Sequence, residues 1–216
     1  MMVTVGDRLA RRSFIWVAAD GVASLSSIGA HAQTPEADVE DALGLVKDTT
    51  QRLLKAVNRE EAIDAKRAFD LVAEYISPHV DLERSARWIL GRHWREATED
   101  QRRRFVAEFR TLLLRTYAIA VAENPQVSIE YLPVRRTKRP REAIVKTRIP
   151  QTSAPPIAVN YRLHDGKQGW KLFDVSIEGI SLVKTYRSSF SQRVKKKGMD
   201  ALIKDMAAKN LENAGA

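Results

Sequence analysis

Chemistry needs a few side chains of the right type at the right spacing, and this chain offers few. It has no cysteine, which removes thiol nucleophiles, disulfides and thiolate metal sites. Past its first residues it carries three histidines, His79, His93 and His164. None falls in a metal-binding spacing such as H-E-x-x-H. The sequence contains no G-x-S-x-G elbow, no P-loop and no G-x-G-x-x-G run, so the corresponding hydrolase and nucleotide chemistries have no anchor. The best acid/base candidate is Asp174 with Glu178, four residues apart on an expected strand and hence on one face. A strand face pairing with Arg and Lys side chains explains the same carboxylates. No catalytic or metal-ligating residue is assigned, and the chain is not expected to be an enzyme.

Charge is the second feature that could recognise something. The formal net charge is +9, which favours an anionic partner: nucleic acid, an anionic membrane surface or an acidic protein. Three basic clusters stand out: Arg102 to Arg104, Arg135-Arg136-Thr137-Lys138-Arg139-Pro140-Arg141, and Lys195 to Lys197. The middle cluster lacks the interleaved aromatics of a nucleic-acid arm. Nucleic acid is therefore not expected as a partner. A solvated loop, or a surface for anionic lipid or an acidic protein, is expected instead. Arg102 to Arg104 are expected to face solvent.

The N-terminus gives an address. Arg8, Arg11 and Arg12 precede a moderately apolar run from Phe14 to Ile28, and Ala30-His31-Ala32 has the A-x-A form of a cleavage site. Asp20, Gly21 and several serines interrupt the run, which makes it a poor membrane span. Arg11-Arg12-Ser13-Phe14-Ile15 also has the look of a twin-arginine export signal. Residues 1–32 are expected to be a signal peptide and 33–216 the functional domain, placed in the periplasm.

The elements that would position any site follow from periodicity. Thr34-Pro35-Glu36 opens a helix whose apolar positions are Val39, Leu43, Val46, Leu53 and Val57, ending near Asn58. A second helix is expected from about Glu60 to Ile76, stopped by Ser77-Pro78. Asp81 caps a third, interrupted at Gly91. Thr98 and Gln101 form a capping box that starts the longest helix, reaching about Glu123. Its stripe is Phe105, Phe109, Leu112, Leu113, Thr116 and Tyr117.

After Asn124-Pro125 the period becomes two. Strands are expected at 127–131, 143–149, 157–163 and 169–178, with Asp165-Gly166 as a hairpin signal. Short connections make the sheet antiparallel. Val127, Ile129, Tyr131, Val159, Tyr161 and Phe173 share a covered face, and Lys146, Arg148, Asn160 and Arg162 a wet one. Gly179 turns the last strand into a C-terminal helical region from Ser181 to about Asn210, divided at Gly198. The fold class is α+β: a twisted antiparallel sheet of about four strands packed on several α-helices.

Sheet face, long helix and C-terminal helix all present large apolar residues. Periodicity alone leaves two readings open, an ordinary filled core or an apolar pocket for a ligand. The order of motifs then matters: Leu82-Glu83-Arg84; Leu90-Gly91-Arg92-His93-Trp94-Arg95-Glu96-Ala97-Thr98; Gln101-Arg102, Phe105 and Phe109; and Trp170 to Ser189 with Asp174-Val175, Glu178-Gly179-Ile180-Ser181 and Tyr186-Arg187. From about Val39 to Lys209 the sequence resembles the MlaC family of exported phospholipid-binding proteins, also called toluene-tolerance proteins. The same residues also fit its hopanoid-associated, HpnM-type branch.

The resemblance implies an apolar pocket enclosed between sheet and helices, with lipid as cargo and no cofactor. As partners it implies a membrane-embedded ABC transporter complex and an outer-membrane lipoprotein. The positions facing the sheet–helix interior then become expected lipid contacts. They are Leu113, Tyr117, Ile129, Tyr131, Val145, Val159, Tyr161, Phe173, Val175, Ile177, Ile180, Leu182, Val183, Tyr186 and Phe190. The alternative is an exported, non-catalytic adaptor with a filled core.

Overall fold

The computed structural model describes residues 37–123 and 126–212. The leader, the Thr34-Pro35-Glu36 helix start, the Asn124-Pro125 break and residues 213–216 lie outside the described residues. The helices are α1 (Ala37–Val57), α2 (Ala65–Tyr75), a single 3-10 turn (Ser77–His79), α3 (Leu82–Leu90), α4 (Arg92–Glu96) and α5 (Glu99–Glu123). The strands follow: β1 (Glu130–Tyr131), β2 (Arg135–Arg136), β3 (Glu142–Ile149), β4 (Ile157–Gly166), β5 (Gly169–Ile177) and β6 (Ile180–Ser181). α6 (Leu182–Lys197) and α7 (Met199–Glu212) close the chain.

The helix starts are set by side-chain caps. The box at Thr98 forms in both directions: Gln101 N–H donates to Thr98 Oγ1 and Thr98 N–H to Gln101 Oε1, each at 3.1 Å. Asp81 Oδ1 accepts from Arg84 N–H at 2.9 Å and starts α3. α2 begins later than its periodicity suggests. Its cap is Asp64, which accepts from Arg67 N–H at 2.6 Å, while Glu60 sits in the preceding turn and pairs with Arg67 at 2.7 Å. Gly91 ends α3 at φ +56°, a conformation that favours glycine.

The sheet is antiparallel, in the order β1-β3-β4-β5-β6, with β2 also paired to β3. It differs from expectation at its edges. The strand expected over 127–131 pairs only at Glu130 and Tyr131. The basic segment expected as a loop forms a hairpin, with Arg135 opposite Ile144 and Arg136 opposite Ala143. The β4–β5 turn falls on Lys167-Gln168, since Asp165 and Gly166 remain in the ladder opposite Trp170 and Gly169. β5 does not run straight into a helix either. Glu178 and Gly179, at φ +50° and +79°, make a two-residue hairpin to β6, as a type I′ turn requires. Ser181 then caps α6, accepting from Lys184 N–H at 3.1 Å.

Apolar side chains gather in separate groups. α1 lays Val39, Ala42 and Val46 on Ala143, Val145, Leu163 and Trp170 of the sheet. A second group joins α3, α5, α6 and α7 around Phe105, Phe109, Phe190, Leu202 and Met206. Its aromatic rings interlock: Phe105 stacks on Phe109 with centroids 5.8 Å apart, and Phe190 meets Phe105 edge-on at 5.9 Å. Tyr186 meets Phe109 edge-on at 5.3 Å. Such pairs add about 0.5–1.5 kcal/mol each beyond burial.

The other sheet face is not wet throughout. Its Glu142 side chain is only 3% exposed, held by Arg84 at 2.9 Å and Arg162 at 3.2 Å. Arg84 and Arg162 each lie 4.9 Å from the centre of the Phe173 ring. Trp88 covers the same corner, 6.1 Å from Phe173, so α3 dries one end of this face. Nor do all of Arg102 to Arg104 face solvent. Arg102 donates to the Trp94 carbonyl at 2.8 Å and stacks on its ring, and Arg104 joins α5 to α7 through Asp200 at 2.6 Å.

Removing the buried carboxylate should expose how much this corner depends on it. Glu142→Gln leaves Arg84 without its counter-charge and Arg162 with only the longer contact to Asp174 at 3.7 Å. Both arginines keep some solvent contact, so the expected loss is about 2–3 kcal/mol. Thr98→Ala, which removes one cap, should cost about 1 kcal/mol. Urea denaturation of both variants measures this, and a loss at Glu142 no larger than at Thr98 would contradict it.

Candidate functional site: an apolar cavity

α1 covers only part of the inner sheet face. Beyond its reach Val159, Val175 and Ile177 face a cavity of about 920 Å³, and Tyr161, packed against the α1 group, borders it. The opposite wall is α5, which contributes Phe109, Leu113, Leu114, Tyr117 and Val121. These positions recur every three or four residues, the spacing that keeps one helix face on the cavity. α2 adds Val72, the end of α1 adds Leu53 and Leu54, the segment after α2 adds Ile76 and Val80, and α3 adds its first residue, Leu82.

The lining is apolar along its length and polar where it meets solvent. Arg110 and Ser77 stand on one side. Glu123, Gln126, Ser128 and Gln151 stand at another, with Pro150 beside them. Arg110 and Glu123 are thirteen residues apart on α5, about 20 Å at the rise of an α-helix. The hydrocarbon thickness of one bilayer leaflet, half of about 30 Å, fits within that length.

Ten of the fifteen expected contact positions line this cavity: Leu113, Tyr117, Ile129, Val159, Tyr161, Phe173, Val175, Ile177, Leu182 and Val183. The other five lie elsewhere. Tyr131 packs under α1, and its hydroxyl meets Thr50 Oγ1 at 2.6 Å. Val145 is fully buried beneath the same helix. Tyr186 and Phe190 are spent on the aromatic joint between α6 and α5. Ile180 is 65% exposed on the short edge strand β6. The hairpin at Glu178-Gly179 turns it away from the interior that a direct strand-to-helix corner would have given it. Phe109 has two roles: one ring belongs to the core cluster and also walls the cavity.

The two carboxylates with conceivable acid/base spacing are both occupied. Asp174 lines the cavity, but its oxygens accept from Ser181 Oγ at 2.8 Å and Val183 N–H at 3.1 Å, fixing the start of α6. The Glu178 carboxylate accepts from the Ala158 N–H of β4, the strand beside β5. His93 Nδ1 pairs with Glu96 at 3.0 Å. His79 is held below its ordinary value by burial and then by Lys171. Among the described residues no cluster of His, Asp or Glu has the makings of a metal site, and no helix is long and apolar enough to cross a membrane.

The chain is similar in sequence and fold to known proteins. Residues 47–208 match the family described as MlaC protein. The chain belongs to the MlaC family. Its sequence is 27% identical over 173 residues to the toluene tolerance protein ttg2D of Pseudomonas putida, covering 78% of this chain and 77% of that protein. It is 23% identical over 139 residues to the intermembrane phospholipid transport system binding protein MlaC of Haemophilus influenzae, covering 63% and 65%. The fold matches a phospholipid-binding protein from Ralstonia solanacearum solved in complex with a phospholipid. There the TM-score is 0.72 at 27% identity, over 79% of this chain and 97% of that one.

In this MlaC-family chain nine of the cavity residues that sequence reasoning missed come from the N-terminal segment between Thr50 and Ser85. Val72 and Ile76 were legible as the apolar stripe of α2, spaced four apart. That α2 packs across α5 with its end over the cavity was not legible, because helical period says which face is apolar and not what that face meets. Ile149 and Ile157 face each other across the β3–β4 ladder at its far end. They follow from the same alternation as Val145 and Val159, carried on to the strand ends.

The dryness of the cavity can be read from its tyrosines. Burial, opposed by a Thr147 hydrogen bond, pushes the Tyr161 hydroxyl up to about 12. Tyr117 is pushed up further by burial, then by Tyr186 and Asp174. An unfolded tyrosine ionises near 10. Between about pH 10 and 12 the unfolded chain has therefore released protons that the folded chain retains, and stability falls as pH rises through that window. In an absorbance titration, part of the tyrosine signal should arrive only with unfolding. Ionisation of all five tyrosines near pH 10 with the far-ultraviolet dichroism unchanged would contradict a dry cavity.

Proposed function

We propose that this chain is an exported lipid carrier. It shields the acyl chains of a phospholipid, or a related membrane lipid, and shuttles it between membranes within an ABC-type transport system. The single observation that carries this reading is the apolar cavity of about 920 Å³ between the inner sheet face and α5. Its volume and lining suit a small apolar molecule with few polar anchors. Membership of the MlaC family supports the reading, as does the phospholipid in the Ralstonia solanacearum neighbour.

The physical need for a carrier is large. A free diacyl lipid exposes on the order of 30 methylenes to water, each worth about 0.8 kcal/mol. The resulting barrier of roughly 20 kcal/mol closes the aqueous route between two membranes unless both chains are covered. Release from such a pocket then requires a partner that binds a more open state of the carrier better than the closed one. A membrane-embedded ABC complex and an outer-membrane lipoprotein are the proposed partners, with the periplasm as the compartment. No reaction is proposed, since Asp174 and Glu178 each accept from a backbone N–H, of Val183 and of Ala158.

The test is occupancy. Native mass spectrometry with lipid extraction should find phospholipid at close to one per chain. Val175→Trp puts a large ring into open space, not into a core cluster, and should lower occupancy about tenfold while leaving thermal stability near that of the parent. Repeated absence of any lipid, even after incubation with phospholipid vesicles, would refute the carrier.

A further inference from the structure

The cavity is not symmetric in charge. Arg110 is the one cationic side chain among its lining residues. It is exposed on α5 beside Ser77, and its Nε donates to Ser77 Oγ at 2.9 Å. Among the described residues no carboxylate pairs with it. The arginines nearer the start of the same helix are different: Arg103 and Arg104 both pair with Asp100, and Arg104 with Asp200. Arg110 therefore keeps its two Nη groups for a ligand, and the Ser77 hydroxyl proton points onward from the bond it accepts. Lys171 donates to the Pro78 carbonyl at 2.7 Å and brings a second cation to the same turn.

Of the two lining carboxylates, Asp174 is already bound to Ser181 and Val183. Glu123 stands exposed about 20 Å further along α5. One end of the cavity thus offers a guanidinium fork and a hydroxyl, and the other a negative charge with amides. The planar fork suits a phosphodiester, which it can hold through two parallel hydrogen bonds.

We propose that Arg110, with Ser77, binds the phosphodiester of the cargo's head group. The lipid then lies with its phosphate at the Ser77 end and its chains running past Leu113 and Tyr117 toward Glu123. This orientation rests on the carrier reading above. A phosphate placed at the Glu123 end would instead meet a like charge.

The experiment compares dioleoyl phosphatidylglycerol with dioleoylglycerol, which has the same chains and no phosphate. Occupancy is read by native mass spectrometry and the phosphate environment by phosphorus NMR. The parent protein should prefer the phospholipid by roughly tenfold. Arg110→Gln should bring the ratio near one and shift the phosphorus resonance, with dioleoylglycerol binding unchanged as the check on folding. Glu123→Gln should alter neither. If Arg110→Gln keeps both ratio and resonance, the proposal is overturned. It is also overturned if Glu123→Gln moves them instead, or if inorganic phosphate without lipid gives the same Arg110-dependent shift. A parent protein that binds neither lipid refutes the carrier reading itself, a result distinct from these.

Discussion

A wall of apolar side chains collapses unless something stiffer holds it apart. Here that constraint falls on α5. On one side its Phe105 and Phe109 are locked by Phe190 and Tyr186 into an aromatic joint with α6. At its start Arg102 ties it to Trp94, and Arg104 ties it to α7. The helix can then present Leu113 and Tyr117 to an unfilled space without sinking onto the sheet. The sheet is braced in turn by α1 on its inner face and by the Glu142–Arg84–Arg162 cluster on its outer one. The cavity is what remains between two separately supported walls.

The corner that joins those walls is built from backbone geometry and one carboxylate. Glu178 and Gly179 reverse the chain in two residues, and Asp174 reaches across to the Val183 N–H at the start of α6 and to the Ser181 hydroxyl. An acid at a helix start suits the local dipole. Both carboxylates of conceivable acid/base spacing are thus engaged in structural hydrogen bonds. Much of the basic charge is used in the same internal way. Arg84, Arg102, Arg139 and Arg162 stack on Trp88, Trp94 or Phe173, so a cluster that reads as surface charge in sequence is partly mortar.

The class of the fold, the helix starts at Asp81, Thr98 and Ser181, and the central strands were legible because each depends on neighbours in sequence: a cap, a turn, an alternation. The division of the apolar residues between core and cavity was not. Val145 and Val159 lie on the same sheet face, on neighbouring strands and two residues apart in register, yet one is sealed by α1 and the other faces the void. Tyr117 and Tyr186 are both large, apolar and at helical spacing, and only the packing of α6 on α5 separates them. Period identifies a face; the length and angle of the neighbouring element decide whether that face is covered. The edges were missed for a related reason. β1, β2 and β6 are two-residue pairings, too short for any alternation to announce.

Phe109 stands in both the core and the cavity wall, and this bears on how such a protein can diversify. A change that reshapes the cavity from the helix side also loosens the joint on which the fold relies, so variation there is penalised twice. Val175 and Ile177 carry no such double duty, since behind them lies a sheet and not a core cluster. Drift toward cargoes of different bulk is therefore easier from the strand side, with α5 as the fixed jig against which the other wall is refitted.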